Sequence, residues 1–307
     1  GDFQVAQRGT SHAYSNNGSG YHTLDRWYSA NFSSGTLTLS QQTTALGTVD
    51  STNYLRAVTA STVGASATVY SSQKIENIKQ FHNKSITVSF MVKASAALTF
   101  QLRRQYNYGS GGSSEEYTGF TDVSVTTGWT KFTTTFSAVD FSGKTIGANN
   151  FFGILFYWST NQGTDQRNDA TIEITNVQLE TGSVATDFEH KTYADEIAAC
   201  QRYYEIIGNW SSTSQFYAFP IFKSRSASIG IPVHFRVQKR ATPSIISYDR
   251  LGTTTGVFTQ ISNGTNFAIQ FGPSSDVNGV YRTQHATQPV AVTESAYGLK
   301  ITVDAEL

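Results

Sequence analysis

The feature that most constrains the fold is the regular alternation of apolar and polar side chains through most of the chain. Over residues 86–92 every second side chain is large and apolar, and a period of two residues predicts a half-buried β-strand. The same period occurs in three further segments, residues 98–108, 130–136 and 171–179. Residues 151–158 are nearly all apolar, which predicts a central strand that is buried on both faces. Sheets without helices bury their apolar faces against each other, so the chain is predicted to be all-β, with strands packed as β-sandwiches.

The apolar phase changes within residues 171–179. Ile172 and Ile174 share one phase, whereas Val177 and Leu179 share the other. A strand keeps its phase unless an extra residue is inserted, so we predict a β-bulge near Asn176.

One segment between the two β-rich halves has the pattern of a helix. Thr192 and Asp195 have the spacing of a capping box. Four side chains then follow at intervals of four, three and four residues: Tyr193, Ile197, Cys200 and Tyr204. This spacing predicts a helix over residues 192–205 with these side chains on one stripe. The predicted order is therefore an N-terminal β-sandwich over residues 1–189, a connecting helical segment over 190–205 and a smaller C-terminal β-sandwich over 206–307.

Composition argues against several classes of partner. The 307 residues include 22 Lys and Arg against 22 Asp and Glu, and this zero net charge argues against nucleic acid or an anionic membrane as the partner. Charged residues make up only 14% and aromatic residues 13%, which suits a surface that meets hydroxyl-rich ligands and suits an obligate oligomer equally well. Cys200 is the single cysteine, so an internal disulfide is excluded. No apolar run is long enough to span a membrane, and membrane insertion is not expected.

A search for catalytic motifs finds none of the usual nucleophile, phosphate-binding or zinc patterns. Two carboxylates could hydrolyse a glycoside, but the adjacent Glu115 and Glu116 lie beside a Gly/Ser-rich loop and are interpreted as a solvated turn. Asp165 and Asp169 are interpreted in the same way, as a polar turn. We therefore predict a protein that is not an enzyme.

Carbohydrate binding is better supported by the sequence. Sugars present C–H groups on their faces and hydroxyls on their edges, so their sites combine flat aromatic rings with planar amide or guanidinium donors. Residues 101–108 supply both kinds, with Gln101, Arg103 and Gln105 on one face of a strand and three further residues on the other. The candidate binding residues are Gln101, Arg103, Arg104, Tyr106, Tyr108, Tyr157, Trp158 and Trp27. Packing in the core or at its rim is the other interpretation of the aromatic members, and the sequence leaves both open.

Several segments resemble bacteriophage tail-fibre and receptor-binding proteins. The resemblance is carried by residues 1–11 (GDFQVAQRGTS), 21–28 (YHTLDRWY), 177–182 (VQLETG), 187–190 (DFEH), 200–204 (CQRYY) and 303–307 (VDAEL). It implies a viral protein in the virion tail, which assembles with other virion tail proteins, forms a homotrimer and attaches to the host through a surface glycan. Three copies of the predicted helical stripe could form a short bundle seam, and packing of the stripe against its own sandwich is the alternative.

The N-terminal half also resembles the jelly-roll carbohydrate-binding modules of polysaccharide-degrading enzymes. The order of its segments, the Gly128-Trp129 pair and the strand at residues 172–177 (IEITNV) carry this resemblance. It implies a jelly-roll-like sandwich, and it implies a structural calcium near Asp2 and Asn176. Because the family often has an acid where this chain has Asn176, we expect no cofactor.

These observations favour a tail-fibre or receptor-binding protein that adheres to host cell-surface polysaccharide without catalysis and acts outside the cell. One alternative is a carbohydrate-binding module of a secreted polysaccharide-degrading enzyme. A second alternative is a structural virion decoration or adaptor protein without a ligand.

Overall fold

The computed structural model confirms that the chain is all-β, with one short α-helix in its described part. It describes residues 1–60, 68–160, 170–208, 218–220, 222–225, 228–230, 233–249, 253–260, 266–268, 270–271, 276–280, 283–284, 296–298 and 300–307. The chain divides into two compact units, Gly1–Tyr193 together with Leu307 and Ala194–Glu306.

The first unit contains two six-stranded antiparallel sheets. Its strands are β1 (Ser11–Ser15), β2 (Gly18–Gly20), β3 (Trp27–Phe32), β4 (Thr36–Thr43), β5 (Asn53–Ala60), β6 (Thr68–Glu76), β7 (Ile86–Ala94), β8 (Leu98–Asn107), β9 (Glu116–Val125), β10 (Thr130–Phe136), β11 (Phe151–Thr160) and β12 (Ala170–Thr181). A 3-10 helix, Ile78–Phe81, follows β6. The first sheet has the order β1-β4-β5-β12-β7-β10, and the second sheet has the order β2-β3-β6-β11-β8-β9. The chain passes back and forth between the two sheets, as in a jelly roll.

One hydrophobic core joins the two sheets. Val88 and Ile174 from the first sheet and Leu102 and Phe156 from the second are fully buried members of the same cluster. In a strand successive side chains point to opposite faces, so the apolar phase of each strand forms the inner face of its sheet. The predicted N-terminal sandwich is therefore present, and it is jelly-roll-like.

Two local predictions are confirmed in this unit. Strand β11 lies between β6 and β8, and its residues 151–158 are all buried. Strand β12 changes its register against β7 between Thr175 and Gln178, and Asn176 in this interval has a positive φ of 53°. The bulge near Asn176 accounts for the change of apolar phase.

The second unit contains the α-helix and several smaller sheets. Its elements are α1 (Tyr193–Gln201), β13 (Tyr204–Ile207), β14 (Ala218–Pro220), β15 (Phe222–Arg225), β16 (Ser228–Gly230), β17 (Val233–His234), β18 (Ser244–Tyr248), β19 (Val257–Gln260), β20 (Asn266–Ala268), β21 (Gln270–Phe271), β22 (Gly279–Val280), β23 (Thr283–Gln284), β24 (Ala296–Gly298) and β25 (Lys300–Asp304). The largest sheets here have the orders β14-β24-β19-β20 and β13-β25-β18.

The helix is shorter than the sequence pattern predicts. It ends at Gln201, and Tyr204 instead begins β13, which pairs with β25. Tyr193 is 59% exposed, whereas Cys200 is buried. The predicted stripe over the full segment is therefore wrong, and it gives no support to a three-helix seam. Within the ranges that the structure describes, no helix combines the length and the apolar character needed to cross a membrane.

Candidate functional site

The candidate site is the face of the second sheet that is turned away from the core, called here the outer face. The strand registers place its side chains in rows that cross the sheet. One row contains Tyr70, Tyr157, Gln101 and Asp122. The next row contains Tyr28, Ser72, Leu155, Arg103 and Phe120. A third contains Lys74, Gly153, Gln105 and Tyr117.

An aromatic strip runs across this face, formed by Tyr28, Tyr70, Tyr157 and Phe120 with Arg103 between the last two. The ring centroids of Tyr28 and Tyr70 are 6.3 Å apart, and the stacked rings of Tyr70 and Tyr157 are 5.3 Å apart. The Arg103 guanidinium carbon lies 4.7 Å from the Tyr157 ring centroid and 3.5 Å from that of Phe120. The strip takes one member from each of five adjacent strands, so it is about 19 Å long at about 4.8 Å per strand.

Phe120 and Tyr117 keep the strip accessible at the edge strand β9. Their side chains are 50% and 49% exposed, which is unusual for large rings on a strand. The register of β9 shifts beside Arg104, and Gly119 there has a φ of 64°, as in a bulge that requires glycine. The bulge therefore sets which side chains of β9 lie on the outer face.

Planar amide groups lie beside the strip. Gln105 Nε2 donates hydrogen bonds to Glu115 Oε2 at 2.8 Å and to Tyr117 Oη at 2.9 Å. Gln101 Nε2 donates to Asp122 Oδ1 at 3.2 Å. A Cβ at Gly153 would lie 3.0 Å from Gln105 Oε1, so glycine there leaves room for the amide to cross the neighbouring strand. The outer face thus combines rings with oriented amide and carboxylate groups.

The phenols of Tyr70 and Tyr117 remain protonated at neutral pH. Burial, followed by the neighbouring phenol of Tyr28, raises the pKa of Tyr70 well above its usual value. Burial, followed by the charge of Glu115, raises the pKa of Tyr117 to about 12. Both hydroxyl groups are therefore available as donors as well as acceptors.

Three of the eight residues proposed from the sequence lie together on the outer face. Tyr157 is directly opposite Gln101, and Leu155 on the same strand is opposite Arg103. Strands β8 and β11 are neighbours, so Tyr157 can contact the side chains of Gln101 and Arg103. Tyr157 is only 5% exposed, because Tyr70 and Arg103 flank its ring, and it forms the floor of the strip.

The other five residues belong to the interior. Trp27, Tyr106 and Trp158 are members of the core cluster, at 3%, 1% and 1% exposure. Tyr108 is also in that cluster, and its hydroxyl donates to Glu116. Arg104 is 8% exposed and donates from Nη1 to Tyr106 Oη at 3.0 Å. These residues share the opposite phase of their strands and are omitted from the candidate site because a ligand on the outer face cannot touch them.

The sequence interpretation missed two rings of the aromatic strip, Tyr70 and Phe120, and the nearby ring of Tyr117. Tyr70 lies on β6, where alternating polar residues obscure the strand pattern, and Tyr117 and Phe120 lie on β9, where apolar alternation is present only at its end. The sequence also offers Tyr28, next to Trp27, as a further candidate, and the structure places its ring on the strip. The available signal was an aromatic residue on the polar phase of a strand, because such a residue faces away from the core.

The paired carboxylates do not act on one face. Glu115 lies beside Gln105 and Tyr117 on the outer face, whereas Glu116 accepts hydrogen bonds from Tyr108 and forms an ion pair with Lys144. The Lys144 ammonium group lowers the pKa of Glu116, which keeps it ionised. The interpretation as a solvated turn is wrong for Glu116, which begins β9. Glu115 precedes the strand and is exposed. Asp165 and Asp169 lie outside the described residues.

The residues implied for calcium do not fit that ion. The side-chain oxygen of Asn176 accepts hydrogen bonds from Ser51 and Thr175, and its amide nitrogen donates to Asp50 at 2.6 Å. Asp2 accepts from the side chain of Gln4. In the described part of the chain, no group of three or more His, Cys, Asp or Glu side chains could hold a metal ion.

A cavity of about 330 Å³ lies at the first sheet. Its lining comprises Asp50, Ser89, Phe90, Met91, Lys131, Asn176, Asp187 and Phe188. Asp50 is already engaged by Asn176 and by His190 Nε2 at 3.1 Å, and these hydrogen bonds lower its pKa. This cavity lacks the row of rings that distinguishes the outer face.

No family model matches the sequence, and no curated protein matches it. Solved structures resemble part of the chain, among them two carbohydrate-binding domains and one bacteriophage tailspike domain. A family 11 carbohydrate-binding module from Clostridium thermocellum in complex with a β-1,3-1,4-mixed-linked tetrasaccharide is 14% identical, over 61% of this chain and 95% of that chain, with a TM-score of 0.36. The N-terminal cellulose-binding domain of β-1,4-glucanase C from Cellulomonas fimi is 16% identical, over 57% and 91%, with a TM-score of 0.32.

The third is the enzymatically active domain of tailspike protein 4 from bacteriophage CBA120. It is 10% identical, over 51% of this chain and 19% of that chain, with a TM-score of 0.36. The present chain thus spans about a fifth of that tailspike structure. At these identities and TM-scores, the likenesses carry no inference about what this chain binds.

Proposed function

We propose that the outer face binds a carbohydrate chain and that the protein is a non-catalytic receptor-binding protein of a bacteriophage tail. It would adhere to host cell-surface polysaccharide from the virion, outside the cell. The aromatic strip is the single observation that carries the proposal of carbohydrate binding. The segments that resemble tail-fibre proteins, residues 177–182 and 200–204 among them, support the viral context.

The arrangement of rings and amides supports a sugar ligand. Tyr70 and Phe120 offer flat apolar surfaces to the C–H faces of sugar rings, while Gln101 and Gln105 place donors and acceptors beside them for hydroxyl groups. A strip of about 19 Å can contact several sugar units in line. A polymer therefore fits this face better than a single small molecule.

The proposal of binding without catalysis is supported by the orientation of the acids. Glu116 begins β9 and is engaged by Tyr108 and Lys144. Glu115 precedes the strand and accepts hydrogen bonds from Gln105 and Tyr117 on the outer face. Glycoside hydrolysis requires two carboxyl groups on either side of one bond. A sensitive assay for newly formed reducing ends on bound polysaccharide tests this part, and reproducible turnover would contradict it.

The proposed assembly is a homotrimer that joins other tail proteins, an inference from the sequence resemblance. Three copies of a weak site that reach one surface together bind far more tightly than one copy. Light scattering at micromolar concentration tests the trimer, which has three times the 33.6 kDa mass of the chain.

The experiment that tests carbohydrate binding uses affinity electrophoresis of the whole chain in gels with a panel of neutral and acidic bacterial polysaccharides. Phe120→Ala and Tyr117→Ala should each weaken binding at least fivefold with little change in thermal stability, because both rings are half exposed. Trp129→Ala is the matched control, since Trp129 contacts Lys93 and Tyr54 on the other sheet. The absence of binding to every polysaccharide would contradict the proposal, and an effect of Trp129→Ala alone would contradict the choice of face.

A carbohydrate-binding module of a secreted enzyme remains the second candidate. The specific observation in its favour is that the whole aromatic strip lies in the first unit, so a monomer already contains the complete site. A monomeric mass together with retained glycan binding would favour this candidate over the trimeric fibre.

A further inference from the structure

Arg103 occupies the centre of the outer face in an unusual environment for a cation. Its guanidinium group lies between the rings of Phe120 and Tyr157, with centroid distances of 3.5 Å and 4.7 Å. Aromatic faces attract a guanidinium group, so the two rings hold it in one orientation. These two contacts fix the guanidinium group on the outer face, beside the exposed ring of Phe120.

The positive charge of Arg103 has no countercharge in the described part of the chain. No described carboxylate forms an ion pair with it, and its buried Nε has no hydrogen-bond acceptor. The other cation on this face, Lys74, differs because its Nζ donates to the main-chain oxygen of Leu307 at 2.6 Å. No described residue accepts a hydrogen bond from Arg103, so its terminal N–H groups are available to an acceptor from outside the chain.

The neighbouring carboxylates do not supply that acceptor. Glu115 already accepts hydrogen bonds from Gln105, Asn107 and Tyr117. Asp122 accepts from Gln101. The acids of this face thus accept hydrogen bonds from amide and hydroxyl donors of the protein. Neither forms an ion pair with Arg103, so the Arg103 guanidinium group is available to a ligand.

We propose that the polysaccharide bound by the outer face is acidic and that a sugar carboxylate binds to Arg103 between Phe120 and Tyr157. This inference rests on the proposed carbohydrate binding. A guanidinium group can bind a carboxylate through two parallel N–H···O bonds. A neutral hydroxyl would accept one of these bonds and leave the charge uncompensated.

The test compares native polysaccharides that contain uronic acids with the same polymers after chemical reduction of their carboxyl groups. Polygalacturonate, hyaluronan, alginate and a set of uronate-containing bacterial capsules would be titrated into the whole chain, beside neutral glucans. We expect at least one native acidic polymer to bind at least tenfold more tightly than its reduced form. Arg103→Gln should remove that difference, and Arg103→Lys should retain only part of it because lysine lacks the planar fork.

Lys79→Gln is the matched control, because it removes the same charge from an exposed position in the 3-10 helix. Lys79→Gln should leave the preference for the native over the reduced polymer unchanged. Calorimetry of each variant tests whether that variant is folded. Equal binding of native and reduced polymers, or binding of neutral glucans alone, would overturn the acidic ligand while leaving carbohydrate binding intact. A chain that binds no polysaccharide of either kind would overturn both proposals.

Discussion

Replacing Trp158 by phenylalanine should lower the free energy of unfolding of the first unit by about 3 kcal/mol. The indole is 1% exposed, and its ring centroid lies 5.5 Å from that of Phe100 and 5.7 Å from that of Phe156. Its Nε1 donates a hydrogen bond of 2.9 Å to Ser71 Oγ. The sequence had placed this residue among the ligand-binding candidates, so the substitution separates a core role from a binding role.

The magnitude follows from three losses. The hydrogen bond contributes about 1 kcal/mol, and Ser71 Oγ is not orphaned because it also contacts Ser29 Oγ at 2.8 Å. The smaller ring leaves a cavity of roughly 40 Å³, which costs about 1 kcal/mol at about 24 cal/mol per Å³. The lost burial of apolar atoms adds about 1 kcal/mol. For a unit of this size, the Tm should fall by about 6–12 °C.

Calorimetry of the whole chain measures this change as a shift of the first unit's transition. Trp129→Phe is the control, because Trp129 packs outside the first sheet and its replacement should cost less than about 1 kcal/mol. If Trp158→Phe leaves the Tm unchanged and weakens polysaccharide binding instead, the reasoning about its burial is refuted.

Two further predictions concern buried ionisable groups. Lys239→Met should lower the free energy of unfolding of the second unit by about 3 kcal/mol, since the buried carboxylate of Glu205 then loses the ammonium group at 2.7 Å. Urea titration measures the loss, and adding Glu205→Gln should recover part of it, whereas a double variant without recovery would contradict the pairing. Raising the pH above 10 should destabilise the first unit, because burial raises the pKa of Tyr14 and Tyr108 from 10.0 to about 12, so that the unfolded chain releases protons which the folded protein keeps. Thermal scans at about pH 9 and about pH 11 measure this effect, and an identical Tm at both would count against these pKa values.

The architecture of the first unit could be predicted from its sequence because the period of two residues is strong wherever one sheet face is buried. The bulge near Asn176 left a visible change of phase between Ile174 and Val177. The end of the helix was not predictable in the same way. Tyr204 continues the helical spacing, but it pairs with a strand about 100 residues further along the chain, and such a partner leaves no local signal.

The site was predictable only in part, for a related physical reason. The alternation correctly separated Gln101 and Arg103 from Arg104, and Leu98, Phe100 and Leu102 mark the phase of Arg104 as the buried one. The candidate residues nevertheless came from both phases, because each phase of this segment contains an arginine beside amide or aromatic side chains. Strand β11 is nearly all apolar, so its sequence does not say that Tyr157 faces outward and Trp158 inward.

The aromatic strip has a consequence for how its recognition can vary. Its members come from different strands, so the hydrogen-bonded spacing of the sheet, about 4.8 Å, fixes the distance from one contact to the next. Exchanging a side chain such as Phe120 alters which chemical group is preferred at one position and leaves the period untouched. A polymer whose repeat matches that period can satisfy several positions at once, whereas one with another repeat meets only a few. Mutation can therefore change which sugar substituents the face prefers far more easily than it can change the repeat length of the polymer that the face accepts.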